Sequence, residues 1–274
     1  MSISPLGRII FFGDIFGKPG RNYLMRQLPA IKERFHPDLI IANGENAASD
    51  KGTGITASIA HELYAAGVQA ITLGNHVWGQ KEFVEEIDSV PFVCRPANFV
   101  ASTPGASWID IPFHGKHIGI ACLIGREFMK MLVESPFQAV DTLMAQHPEV
   151  DAWIFDMHAE ATAEKVALGW FLNGKALAVL GTHTHIQTND AAVLDGGTAY
   201  MTDVGMCGPF RSVIGHKIEC ILQRFQTNIP QRAEVATEDV RLCGCIIDVD
   251  LETLKAKSIQ AFQWPLAVEP SPQS

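Results

Sequence analysis

Brief apolar stretches punctuated by polar, glycine-bearing turns set the rhythm of the first ninety residues. Arg8–Gly13, Leu39–Ala42 and Ala70–Leu73 have the length and content of buried strands. Between them the period lengthens. Leu24, Leu28, Ile31 and Phe35 recur at helical spacing, and Pro29 is expected to kink that helix or to begin its second half. Thr56 can cap a helix carrying Ile59 and Leu63, which Gly67 stops. Three strand–loop–helix units in succession predict an α/β layered fold whose sheet is largely parallel here.

The pattern changes in the middle of the chain. Trp108–Ile111 and His117–Leu123 read as successive strands, and Ser135-Pro136 opens a helix with a cap and a first-turn proline. Trp153–Asp156 and Ala176–Leu180 are further strands, separated by Val166–Leu172, an apolar run expected to be a buried helix. A strand is expected near Thr198–Met201, then a loop at Thr202–Pro209. Leu242–Val249 and Lys255–Gln263 predict a closing hairpin around Leu251-Glu252-Thr253. No repeat or linker interrupts this order, so one domain is expected over residues 1–266, with 267–274 a flexible tail.

Composition narrows the function classes. The chain has 274 residues, 47% hydrophobic and 19% charged, enough for a substantial core. A net charge of −9 argues against a broad electrostatic footprint for nucleic acid or an anionic membrane. An acidic protein can still handle phosphate where bound cations reverse the local field. No 18-residue apolar run is present, and Ile9–Phe12 is too short for a signal-peptide core. Cys94, Cys122, Cys207, Cys220, Cys243 and Cys245 show no CxxC pair and read as reduced thiols. A cytoplasmic protein is expected.

The candidate chemistry gathers at the strand ends. Asp14, Glu45-Asn46, Asn75-His76, His158 and His183/His185 each follow a predicted strand. In open α/β sheets, sites form beyond the carboxyl ends of the strands, so such loops can converge. His183 and His185 stand two apart, a spacing that places side chains on one face of an extended backbone. Neutral imidazole is the commonest nitrogen ligand of transition metals. Taken singly, each cluster has a plainer explanation: Asp14 as a helix cap, the asparagines as turn residues, His158 as a satisfied core histidine. Five such explanations holding at once, each at a strand end, is a poor account.

The segments GDIFG, NGEN, LGNHVW, DMHAEATAEK and GTHTHIQT resemble those of the calcineurin-like metallophosphoesterases, and more narrowly their YmdB-like branch. The similarity extends to Arg95–Asn98, Gly125–Met129, TDVGM at 202–206 and Ser212–Gly215, nearly the whole chain to about residue 263. The resemblance implies a four-layered α/β sandwich and 2′,3′-cyclic nucleotide phosphodiesterase activity. Phe16 stands where the broad superfamily carries a histidine, and Glu45-Asn46 where it carries a bridging aspartate; the narrower branch shares both departures.

What the resemblance implies for the site is specific. Asp14, Glu45, Asn46 and His185 would hold one divalent ion, Glu45, Asn75, His158 and His183 the other, with Glu45 bridging and His76 as proton donor. The mixed nitrogen and oxygen donors favour iron or manganese and also suit zinc or nickel. The implied reaction is attack of metal-bound hydroxide on a 2′,3′-cyclic nucleotide such as 2′,3′-cAMP, giving a nucleoside monophosphate. The substrate partner is a small phosphodiester; neither stable nucleic-acid binding nor a membrane is expected, and a homo-oligomer is compatible with the sequence. The alternatives are a phosphatase or phosphodiesterase of other specificity and a regulatory binding protein containing metal. Arg21, Arg95 and Arg126 are candidates for phosphate contact, and Glu160, Thr162, Glu164 and Lys165 for contacts that support the ligands.

Overall fold

The computed structural model describes residues 5–48 and 52–266; residues 49–51, part of the loop that the sequence predicts at Ser49–Gly54, and the expected tail at 267–274 lie outside the described residues. In chain order the elements are β1 (Leu6–Phe12), β2 (Asp14–Ile15), α1 (Gly17–Phe35), β3 (Leu39–Asn43), α2 (Ala57–Ala66), β4 (Ala70–Thr72), α3 (Phe83–Glu86), β5 (Val93–Cys94), β6 (Ile109–Phe113), β7 (Lys116–Ile124), α4 (Pro136–Gln146), β8 (Ala152–His158), α5 (Thr162–Phe171), β9 (Ala178–Thr182), β10 (Ala192–Val193), β11 (Ala199–Met201), β12 (Met206–Pro209), α6 (Ile218–Thr227), β13 (Val240–Asp250) and β14 (Ala256–Trp264). The expected strands and helices are all present.

Two sheets result. In the first, β1, β3, β4 and β5 run parallel as the repeated units predicted, and the closing hairpin β13–β14 joins antiparallel beside β1. In the second, β7, β8, β9 and β11 are parallel, and β6 folds back antiparallel on β7.

Strand alternation builds the layers. Ile10 and Phe12 of β1 face α1 and α2, whereas Ile9 and Phe11 face the other sheet. On β8, Trp153, Phe155 and Met157 pack under α4 and α5, whereas Ala152 and Ile154 face inward. The order is helices, sheet, sheet, helices. This is the four-layered α/β sandwich expected, with an apolar inter-sheet layer at its centre.

Local expectations mostly hold. Thr56 Oγ1 accepts from Ile59 N at 3.3 Å, and Gly67 ends α2 at φ 112°. Pro136 opens α4, although Ser135 makes no side-chain cap bond. Pro29 neither breaks nor restarts α1: its ring lies on the exposed face while Leu24, Leu28 and Ile31 hold the buried one. The run around Val166–Leu172 is amphipathic rather than wholly buried, since Trp170 is 56% exposed. The loop expected at Thr202–Pro209 contains β12, which pairs with the two-residue strand β2. A two-residue ladder leaves no period to read.

Candidate metal centre

The inward-facing side chains change character along each strand. Leu39 and Ile41 of β3 are apolar and Asn43 is not; Ala70 of β4 is followed by Thr72; Ile154 of β8 is followed by Asp156 and His158; Leu180 of β9 is followed by Thr182. At this end of the layer Asp156 is the hub. Its carboxylate accepts from Asn43 Nδ2 at 2.9 Å, Thr72 Oγ1 at 2.5 Å and Thr182 Oγ1 at 2.6 Å. Burial pushes its carboxyl up to about 6, against the pull of His158 and of these hydrogen bonds. Because Thr182 donates to Asp156, its oxygen accepts from His158 Nδ1 at 2.8 Å, which leaves His158 Nε2 facing the site.

Three of the other candidate ligands gather around that nitrogen. His158 Nε2 lies 2.8 Å from Asn75 Oδ1, 3.1 Å from His183 Nδ1 and 3.2 Å from Glu45 Oε1. Donor atoms of Glu45, His158 and His183 all lie within 4.8 Å of one another, the spacing of a shared ion. A second group adjoins it. His185 Nε2 is 3.3 Å from Asn46 Nδ2 and 3.8 Å from Asp14 Oδ1, and Asn46 Nδ2 is 3.0 Å from Glu45 Oε1. Glu45 therefore sits between the two groups. The amide of Asn46 turns its nitrogen toward Glu45 and His185; donation through its oxygen requires the flipped amide.

The donor set fits divalent cations. Asp14 is fully buried, and its Oδ1 has no hydrogen-bond partner, an arrangement that is unfavourable without a cation. Outer contacts fix the rings as they would for ligation: His185 Nδ1 donates to the Ile214 carbonyl at 3.0 Å, and His183 Nε2 faces Glu160 at 3.1 Å. Without metal, protons take that role. Burial alone would lower His158, but Glu45, Asp14 and Asp156 hold it up at about 9. His183, buried beside charged His158, is lowered to about 3. Burial would raise Glu45, but His158 and His76 outweigh it and hold the carboxyl well below its ordinary range. Burial raises Asp14.

The route by which His183 and His185 converge differs from the sequence expectation. β9 ends at Thr182, and the two histidines have φ of 97° and 67° instead of an extended backbone. Non-glycine residues hold such angles only where surroundings compel them. Here Asp203 compels them: its Oδ2 accepts from Thr184 N at 3.1 Å and Thr184 Oγ1 at 2.7 Å, while Asp14 Oδ2 accepts from His183 N at 3.1 Å. Buried Lys165 Nζ, 2.7 Å from Asp203, balances that carboxylate. Close approach also restricts Gly74, where an added Cβ would collide with Glu45 and His158.

His76 and Asn75 diverge. Asn75 turns to His158, whereas the His76 ring, 41% exposed, reaches Asn46 Oδ1 at 2.9 Å through Nδ1 and lines the cleft. This cleft encloses about 530 Å³ between Glu45, Asn46, His76, Glu160, His183 and His185, with Phe16, Ile214 and Arg232 around them. Phe16 packs edge-on to His185 at 5.3 Å and to His216 at 5.0 Å.

The three arginine expectations fail. Arg21 is buried and donates to the Ala47 carbonyl at 2.8 Å, and Arg95 bonds the Pro96 and Thr103 carbonyls; both brace loops. Neither lines the cleft, and nor does Arg126, whose backbone N–H is held by Glu164. Sequence reasoning missed Asp156, Asp203 and Arg232. Asp156 had a visible signal, a carboxylate two positions before His158 in an apolar strand. Arg232 had none.

Paired sheets between helices, with polar strand ends gathered over one edge, make this a protein of the calcineurin-like metallophosphoesterase fold. The model of the YmdB-like protein family matches residues 10–262, and the chain belongs to that family. It is 46% identical over 254 residues to the 2′,3′-cyclic-nucleotide 2′-phosphodiesterase of Bacillus subtilis (strain 168), covering 92% of this chain and 95% of that protein. A crystal structure described as a novel phosphatase from Mycoplasma pneumoniae superposes with a TM-score of 0.89 at 33% identity, covering 95% of this chain and 94% of that one. The crystal structure of a hypothetical protein from Thermus thermophilus superposes with a TM-score of 0.87 at 39% identity, covering 94% of this chain and 98% of that one. No helix among the described residues is long and apolar enough to cross a membrane.

Proposed function

We propose that the chain is a metal-dependent phosphodiesterase that opens 2′,3′-cyclic nucleotides at the 2′ ester, leaving a nucleoside 3′-phosphate. The observation that carries the metal dependence is Asp14 Oδ1, a buried carboxylate oxygen without a partner, facing the ring of donors around Glu45. The name of the Bacillus subtilis relative, at 46% identity, supports the choice of substrate.

In this reading Asp14, Glu45, Asn46 and His185 hold one divalent ion, and Glu45, Asn75, His158 and His183 the second. Iron or manganese suits the mixture of oxygen and imidazole donors, with zinc or nickel as further candidates. When bound, two such ions polarise a phosphoryl group, neutralise developing charge and lower the pKa of water. The chain's residues then have distinct tasks. Thr182 and the Ile214 carbonyl keep His158 and His185 presenting Nε2. Glu160, half exposed at the cleft wall, orients His183. His76 lines the cleft and, through Nδ1, is held beside Glu45 Oε1 at 3.2 Å. Its other ring nitrogen is then placed to protonate the departing 2′-oxygen, a poor leaving group as an alkoxide.

A hydrolysis panel tests the reading. The bis-ester of p-nitrophenyl phosphate should exceed the monoester in kcat/KM, and 2′,3′-cAMP should exceed 3′,5′-cAMP. Preference for the monoester would make this a phosphatase; preference for 3′,5′-cAMP would refute the substrate assignment.

A further inference from the structure

A second cleft of about 560 Å³ adjoins the first, with Lys18 and Asn22 of α1 on one wall and Arg232, Glu234 and Thr237 on the other. Arg232 lines both clefts, so they meet at its side chain. Both volumes fall in the range of small-ligand sites, about 300–1,000 Å³.

The charge of the second cleft is its distinguishing property. The chain as a whole carries −9, and the first cleft presents Glu45 and Glu160. The second presents two cations, Lys18 and Arg232, neither within 4.0 Å of a carboxylate oxygen among the described residues, although Arg232 is near enough to Glu234 to help lower its carboxyl. Its one carboxylate, Glu234, is bonded to Lys217 Nζ at 2.6 Å. Asn22 and Thr237 add uncharged hydrogen-bonding groups. Cationic side chains with amide and hydroxyl neighbours are the chemistry that takes a phosphate.

We propose that this cleft is a subsite for the 5′-side phosphate of an oligoribonucleotide whose 2′,3′-cyclic end lies at the metal centre. The inference rests on the cyclic-phosphodiester reading above. A ribose held by its 2′ and 3′ oxygens can continue out of the first cleft only through its base or its 5′-oxygen. The next phosphate along the strand is attached to that 5′-oxygen. Arg232 stands where the two clefts meet and Lys18 beyond it, in the order that such a strand requires. Chain chemistry also identifies the supplying reaction. When a ribose 2′-hydroxyl attacks its own phosphodiester, the 2′-oxygen–phosphorus bond forms and the phosphorus–5′-oxygen bond breaks. The hydroxyl proton is lost, and the departing 5′-oxygen takes one up. RNA strand scission of this class leaves fragments with the cyclic end this protein would open. Two cations serve a short fragment and are too few for stable duplex binding, in keeping with the acidic surface.

Calorimetric titration tests the subsite without relying on turnover. Adenosine 3′-phosphate, adenosine 3′,5′-bisphosphate and ApA 3′-phosphate are compared on the metal-loaded wild type and on Lys18→Glu, with Lys18→Ala as a second variant. Lys18 is exposed, so neither change disturbs packing. The bisphosphate and the dinucleotide should each bind about tenfold tighter than the 3′-phosphate at low salt, the size of one charge-assisted contact. In Lys18→Glu that gain should fall below about threefold. Equal affinities on the wild type, or a gain that survives Lys18→Glu, would overturn the subsite. A gain confined to the bisphosphate would overturn the oligonucleotide class. Turnover of 2′,3′-cAMP is measured separately: its absence alongside a clear binding gain would reject the catalytic reading and leave the subsite standing.

Discussion

The layer between the two sheets has two ends of opposite character, built from the same strands. At one end Ile9, Phe11, Ile41, Ile120 and Ile154 interlock with no polar atom among their side chains. At the other, Asn43, Thr72, Asp156, His158 and Thr182 continue the same inward faces with hydrogen-bonding groups throughout. Burial is equally complete at both, so burial alone does not define a core. The apolar end stabilises the fold by removing hydrocarbon from water, about 1.5–3 kcal/mol for each large aliphatic side chain. The polar end gathers carboxylates and imidazoles whose mutual satisfaction depends on protons or cations. One end supplies the rigidity against which the other holds its geometry.

Substitutions should separate the two ends. The largest effect is expected for Glu45→Ala, because Glu45 lies between both ligand groups. Activity should fall roughly a thousandfold or more, and bound metal should be lost with it, while the variant stays folded and melts cooperatively at a temperature lowered by the loss of the ions. Elemental analysis and melting curves check this; a variant keeping two equivalents of metal and full turnover would remove Glu45 from the bridging position.

His76→Ala comes next and discriminates chemistry from binding. Loss of a positioned acid should reduce turnover of 2′,3′-cAMP by roughly 10²–10⁴-fold. p-Nitrophenolate leaves unaided, so the bis-p-nitrophenyl ester should be little affected and metal content unchanged. Equal losses on both substrates would make His76 a positioning residue.

Ile154→Ala and Asp156→Asn, two residues apart on one inward face of β8, test the comparison most closely. The first should lower stability by about 2–5 kcal/mol and leave metal affinity nearly unaltered in the folded protein. The second should weaken metal binding by about 10–100-fold by releasing Thr182 and thereby the His158 ring. Denaturant melts and metal titrations measure the two; similar profiles for both variants would erase the distinction.

The smallest effect concerns pH. In the metal-free chain the acidic neighbours hold His158 at about 9, above its ordinary 6.5. A raised histidine contributes stability that is fully present below pH 6.5 and lost as pH rises through 9. Metal-free protein should therefore lose on the order of 1–2 kcal/mol between pH 6.5 and 8.5. Saturating manganese, which displaces that proton, should flatten the profile. Melting curves with and without the ion give the answer, and a metal-free profile that rises over this window would contradict the assignment of His158.

Much of this was legible before any coordinates. The short apolar runs and the helical stretches between them placed β1, β3, β4 and β7–β9, and five strand-end polar clusters marked where the site forms. What escaped had physical reasons. β2 and β12 are held by a pairing of two residues each, too short to carry a period. The His183–His185 turn owes its left-handed backbone to Asp203, eighteen or more residues away, a contact no local spacing encodes. Arg232 reaches the clefts from an irregular segment between α6 and β13, where sequence offers neither period nor motif. Asp156 was readable in principle, since strand alternation puts it on the face of His158, but a lone carboxylate inside an apolar run resembles a strand boundary.

The central claim is a pair of divalent ions held around Glu45 and required for hydrolysis. Stepwise titration of metal-free protein with manganese, following bound metal and 2′,3′-cAMP hydrolysis together, tests it directly. The account predicts saturation at two ions per chain, with activity appearing as the second is taken up. Saturation at a single ion, or full activity in the metal-free protein under chelator, would contradict it.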